Sequence, residues 1–88
     1  MYQLVYYYKE TTFTSTFSTG FEREYHSDEF RLRRNALHYL LDIVQSEYRA
    51  EGYGTEQIVG GINCYKSKKT ENGDKKIIEV KIKVEKVK

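Results

Sequence analysis

The dipeptide Asn72-Gly73 most constrains the fold, because it stands between two runs in which apolar and polar residues alternate. Asn-Gly favours a two-residue type I′ turn, in which both central residues adopt positive φ. Alternation with a period of two is typical of strands that bury one face. The last third of the chain therefore predicts a β-hairpin whose turn sets the strand register.

This turn predicts that Tyr65 lies opposite Val80 across the hairpin. Asn63 would share the inner face, where a polar amide fits poorly among aliphatic side chains. A bulge near Gly60-Gly61 would turn Ile62 inward instead, and the sequence leaves both arrangements open. In the first arrangement the inner face holds Tyr65 with four aliphatic residues, Ile78, Val80, Ile82 and Val84.

The N-terminal segment also favours extended structure. Residues 1–9 are rich in Tyr and other strand-forming residues. Phe13, Phe17 and Phe21 follow in a Thr- and Ser-rich stretch that predicts a second strand with all three rings on one face. The turn between the two strands is expected near residues 9–12.

A long helix is predicted in the middle of the chain, from Asp28 to Glu51. Ser27 is a good N-cap, and carboxylates in the first turn favour the positive end of the helix dipole. Gly52 is a good stop. We read the Gly-rich residues 53–59 as a connection. These elements predict one α+β domain over residues 1–88, in the order ββαββ, with an antiparallel sheet packed on one long helix.

Composition narrows the function classes. The 88 residues leave no room for a second domain, and the single Cys64 closes no internal disulfide. Cys64, His26 and His38 lack the paired spacing of a metal site, and no motif for a cofactor is present. The sequence contains no signal peptide and no apolar run of about 18 residues, so we expect no membrane partner. We expect a cytoplasmic protein.

Charge is divided unevenly along the chain. Residues 1–65 hold six basic and nine acidic side chains, a net of −3, whereas residues 66–88 hold nine Lys and four acids, a net of +5. The basic hairpin and an arginine cluster at the helix start could contact nucleic acid or another anion. The favoured explanation of the lysines is a solvated strand that resists pairing with other sheets. For the arginines it is internal ion pairing with nearby acidic residues. The residues concerned are Lys66, Lys68, Lys69, Lys75, Lys76, Arg31, Arg33 and Arg34.

The apolar arc of the predicted helix covers roughly half its circumference. That is more than one small sheet usually needs. A second apolar stripe therefore predicts an interface with a second copy or another protein, unless the chain covers the stripe itself. Its members are Leu32, Ala36, Tyr39 and Ile43.

Catalytic signals are weak. His38 and Asp42 stand four residues apart on the polar helix face, with Arg31 and Arg49 nearby. A His oriented by a carboxylate could act on a phosphodiester, as in a small toxin-like ribonuclease, but an ordinary solvated helix face is favoured.

The sequence therefore predicts a non-catalytic binding or regulatory module that acts through protein contacts as a homodimer. Nucleic-acid binding through the Lys-rich hairpin is the alternative, and a ribonuclease is the second alternative.

Overall fold

Five antiparallel strands form one sheet in the computed structural model, which describes all residues 1–88. The spatial strand order is β2-β1-β5-β4-β3. The α+β class is confirmed, but the sheet contains one strand more than the predicted four. The strands are β1 Tyr2–Phe13, β2 Ser18–His26, β3 Gly54–Ile58, β4 Gly61–Lys69 and β5 Lys75–Lys86.

The additional strand is β3, which occupies most of the segment that we expected to be a connection. It pairs only with β4 and forms one edge of the sheet. An edge strand needs one neighbour and little apolar surface, so Thr55, Glu56 and Gln57 give no strong strand pattern. The turn into β4 uses Gly60, whose φ of 81° is readily adopted only by glycine.

The first hairpin turns later than expected, at Thr14–Phe17. The amide of Thr14 donates to the carbonyl of Phe17 at 2.9 Å, and the Thr14 hydroxyl oxygen accepts from the Phe17 amide at 3.1 Å. Side-chain bonds from Thr and Ser can close a turn without Gly. The resulting register pairs Phe13 with Ser18 and Phe21 with Glu10, so these two rings lie on opposite faces of the sheet.

The C-terminal hairpin is confirmed, but its register is shifted by one residue. Cys64 lies opposite Val80, where the two-residue turn predicted Tyr65. The loop has three residues, because Thr70 pairs with Asp74 through a hydrogen bond of 2.8 Å. Gly73 is the only residue of this loop with positive φ, which excludes a type I′ turn.

The shift explains the misfit of Asn63. One residue of slip exchanges the faces of a strand, so Ile62 and Cys64 point toward the helix and Asn63 points away. Asn63 is nevertheless buried on the other face, where its side-chain amide donates to Glu56 Oε1 at 3.2 Å. The inward turn of Ile62 therefore comes from the loop at Thr70–Asp74.

The helix begins five residues later than predicted. Its α-helical part, α1, spans Arg33–Ile43, and π-helical and 3₁₀ turns continue it to Glu51. Ser27 is no N-cap: its hydroxyl oxygen accepts from the Leu4 amide at 2.9 Å. Phe30 and Tyr2 exchange backbone hydrogen bonds, so the chain before α1 runs alongside β1. Strand pairing thus outcompetes the local capping signal.

The core lies between the helix and one face of the sheet. Leu4 and Ile82, near the sheet centre, are fully buried. Burying each such side chain contributes about 1.5–3 kcal/mol. The buried cluster consists of Leu4, Ala36, Leu40, Val44, Cys64, Ile78, Val80 and Ile82.

Candidate protein-binding groove

The single helix covers only part of the sheet. Five strands about 4.8 Å apart span roughly 19 Å, whereas a helix with its side chains is about 10 Å wide. Residues of α1 pack mainly on β1 and β5, near the sheet centre. A groove of about 620 Å³ remains between the helix and the edge strand β3.

Aliphatic side chains line this groove, which we name the β3 groove. Leu37, Leu40 and Leu41 contribute from α1, and Ile62 contributes from β4. Leu41 is 56% exposed. The groove therefore presents apolar surface that the chain itself does not cover.

Beside this apolar surface lies an unpaired strand edge. Strand β3 pairs with β4 on one side, and no strand pairs with its other side. In an antiparallel ladder, alternate residues of an edge strand direct their N–H and C=O groups outward. Such an edge is a template for one more strand.

Arg33 and Arg49 also line the groove. The Nε and Nη2 atoms of Arg49 donate to Thr55 Oγ1 of β3 at 3.3 and 3.0 Å. Neither arginine forms a salt bridge, and neither does Arg31 or Arg34. The internal ion pairs expected for the cluster at the helix start are therefore not formed.

The predicted helix stripe is divided between core and surface. Ala36 and Ile43 are buried inside the chain, so they are not available to a partner. Leu32 and Tyr39 remain exposed, and Tyr39 packs on Phe30 with ring centroids 5.3 Å apart. Leu41 is not a member of this stripe, and only the position of the helix on the sheet reveals that it borders an open groove.

The predicted anion-binding lysines gather at the end of the β4–β5 hairpin, but two of them have internal partners. Lys66 Nζ donates to the Glu51 carbonyl at 2.7 Å, and Lys76 forms an ion pair with Glu10. The remaining three are Lys68, Lys69 and Lys75. Across the hairpin, Lys68 lies opposite Lys76 and Lys69 opposite Lys75.

No catalytic arrangement accompanies His38. It is exposed, and no hydrogen bond or ion pair joins it to Asp42. No group of three His, Cys, Asp or Glu side chains is placed to hold a metal ion. None of the helical segments is both long and apolar enough to cross a membrane.

Burial also makes the single thiol a poor nucleophile. Cys64 is fully buried in the core, and this burial raises its pKa to about 11, although Arg49 opposes the shift. The thiolate is the reactive form, so Cys64 acts as a small core side chain.

On the opposite face of the sheet, Tyr7 donates a hydrogen bond to the Glu85 carboxylate. This bond raises the pKa of Tyr7 to about 12. Tyr7 lies in a row with Glu24 of β2 and Lys81 of β5, so acidic and basic side chains alternate across this face. Such mixed charge gives the face no strong preference for an anion or a cation.

No protein-family model, curated protein or solved structure matches this chain.

Proposed function

We propose that this protein is a non-catalytic binding module that takes an extended segment of another protein into the β3 groove. The observation that carries the proposal is the apolar groove directly beside an unpaired strand edge. Strand addition of this kind combines main-chain hydrogen bonds, which give affinity, with pockets for alternate side chains, which give specificity.

An extended segment suits the groove better than a helix does. Along β3, the residues whose register turns them toward the helix are polar, Thr55 and Gln57, and the one apolar lining residue, Ile58, lies at the strand end. A docked helix satisfies its own backbone and would need apolar contact along β3. An extended segment pairs its backbone with β3 and places every second side chain against Leu37 and Leu41.

A second copy of β3 is a poorer occupant than another protein. Full antiparallel overlap of two copies of Gly54–Ile58 places Glu56 opposite its own counterpart. Like charges directly opposite each other destabilise a strand pair. The homodimer remains an outcome of the test.

The test uses a pool of nonapeptides with valine or leucine at every second position and random polar residues elsewhere. We expect saturable changes in the amide NMR signals of β3 and α1. Leu41→Glu should weaken binding at least tenfold. The matched control is Val59→Glu, because Val59 is 94% exposed and lies outside the groove. Its affinity should equal that of the wild type.

Three results would contradict this proposal. The first is a pool that causes no saturable change at β3, and the second is equal binding by the Leu41→Glu and Val59→Glu variants. The third is light scattering that shows a dimer which Leu41→Glu dissociates, since the groove would then hold a second copy of this chain.

Single-stranded nucleic acid is the second candidate ligand, at the end of the β4–β5 hairpin. Lys69 and Lys75 lie directly opposite each other, which is unfavourable without an anion. Phe13, exposed on the neighbouring strand, lies opposite Lys75 and could stack on a base. An exposed aromatic ring beside opposed lysines favours single-stranded nucleic acid as the ligand.

Fluorescence anisotropy with a labelled oligonucleotide tests this second site. The double variant Lys69→Gln/Lys75→Gln should bind more weakly and with a smaller salt dependence than wild type. The control, Lys86→Gln/Lys88→Gln, removes the same charge elsewhere in the chain. Equal affinities of the two double variants, or no binding at low salt, would exclude the site.

A further inference from the structure

We infer that the segment bound in the β3 groove is acidic, with two carboxylates about eight residues apart, on one face of the extended segment, that pair with Arg33 and Arg49. This inference rests on the proposed strand addition and adds the chemistry of the partner. It follows from the position, environment and spacing of the two guanidinium groups.

Arg33 occupies an unfavourable position for a cation. It lies at the start of α1, where the helix dipole is positive, and the first turn contains no acidic residue. No carboxylate of the chain forms an ion pair with it. A carboxylate from a bound segment would meet both the guanidinium and the favourable end of the helix dipole.

Arg49 is held at the groove by β3 itself. Its Nε and Nη2 both donate to Thr55 Oγ1, which fixes the plane of the guanidinium. A guanidinium has five N–H donors, so three remain for a ligand. A guanidinium group that is already oriented loses less conformational entropy on binding a carboxylate than the guanidinium of a free side chain does.

The acidic residue of β3 does not neutralise this pair. Glu56 borders the groove, but it pairs with Asn63 on the face of the sheet that points away from the helix. There its Oε1 accepts from Asn63 Nδ2 at 3.2 Å. Glu56 forms no salt bridge with either arginine, so no carboxylate of the chain neutralises the two guanidinium groups.

The spacing sets the length of the segment. The helical segment advances about 1.5 Å per residue, which places the backbones of Arg33 and Arg49 roughly 24 Å apart along the axis. An extended chain advances about 3.3 Å per residue, so roughly seven residues span the same distance. Two side chains share a face only at an even separation, and a separation of about eight residues meets both conditions. Two carboxylates at this separation can reach both guanidinium groups at once.

Three synthetic nonapeptides with the same aliphatic positions test the inference. They carry Glu, Gln or Lys at positions 1 and 9, on the same face as the aliphatic residues at positions 3, 5 and 7. Binding is measured by titration at low and high salt. The Glu peptide should bind about tenfold more tightly than the Gln peptide, and the Lys peptide more weakly than both. High salt should reduce the advantage of the Glu peptide.

Charge reversal supplies the matched variants. In Arg33→Glu/Arg49→Glu the preference should invert, so that the Lys peptide binds best. Arg31→Glu is the control, because Arg31 precedes α1 and does not line the groove. If the double variant is unfolded by circular dichroism, Arg33→Glu alone should still remove the preference for Glu at position 1 or 9.

The outcomes separate this inference from the proposed function. Equal binding of all three peptides at β3 would overturn the acidic preference and leave strand addition standing. A preference for Glu that Arg31→Glu abolishes as fully as the double variant would also overturn it. Failure of every peptide to bind would overturn both.

Discussion

Leu40 and Leu41 are neighbours in sequence with opposite environments, and truncating each in turn tests the position of the helix. Leu40 is 2% exposed and belongs to the buried cluster, whereas Leu41 is 56% exposed beside the β3 groove. Leu→Ala at a fully buried site costs about 2–5 kcal/mol, because the transfer free energy is lost and a cavity remains. We expect about 3 kcal/mol for Leu40→Ala.

For Leu41→Ala we expect at most about 1 kcal/mol, because more than half of the side chain is already in water. A chain of 88 residues has a total free energy of unfolding of about 4–13 kcal/mol. Leu40→Ala therefore removes a large share of the total, and Leu41→Ala removes little.

Urea unfolding followed by circular dichroism measures both changes. The transition midpoint of Leu40→Ala should fall clearly below that of Leu41→Ala, with similar slopes for the two variants. Equal losses would mean that Leu41 is covered in the folded protein, which would refute both the helix position and the open groove. A loss below about 1 kcal/mol for Leu40→Ala would also refute the reasoning.

Three further results are expected from the same structure. Gly61→Ala should destabilise the fold strongly in urea unfolding, because a Cβ atom at this position would collide with the backbone of Ile82 on β5. The raised pKa of Tyr7 means that the folded state holds its phenolic proton more tightly, so this stabilisation is present below about pH 10 and lost toward pH 12. Tyr7→Phe should show a smaller loss of stability over that range than wild type, and an unchanged loss would contradict the hydrogen bond to Glu85. The thiol of Cys64 should be unreactive toward a thiol reagent in native protein and react on unfolding, whereas fast native reaction would contradict its burial.

The elements that the sequence predicted well are those with a strong local pattern. The C-terminal hairpin follows from two alternating runs around one turn, and the helix follows from its apolar period. Gly52, with φ of 87°, ends the helical segment at the predicted place. These features depend on residues close in sequence, so local preferences were sufficient.

The features that the sequence missed depend on distant partners. Ser27 has the chemistry of an N-cap, but the edge of β1 was available to pair with the chain around it. Strand β3 has little strand propensity and forms because β4 supplies a partner. The hairpin register was decided by which residues could pack under the helix, and this favoured Cys64 over Asn63.

The candidate site belongs almost wholly to this second group. The sequence places Arg33 in an arginine cluster at the predicted helix start, but the neighbours of Arg33 could not be known from sequence. Leu41 and β3 carry no signal of binding by themselves. They form a groove only because one helix of limited width lies over the centre of a five-stranded sheet.

The sequence by itself determined the α+β class, the terminal hairpin, the end of the helix and the contrast between the −3 and +5 regions. Turn chemistry, periodicity and charge are local properties, so they can be read without a fold. Only the tertiary structure decided the strand register, the fifth strand, the helix start and the open groove. Each of these depends on which surfaces meet when distant segments compete for backbone partners and for burial.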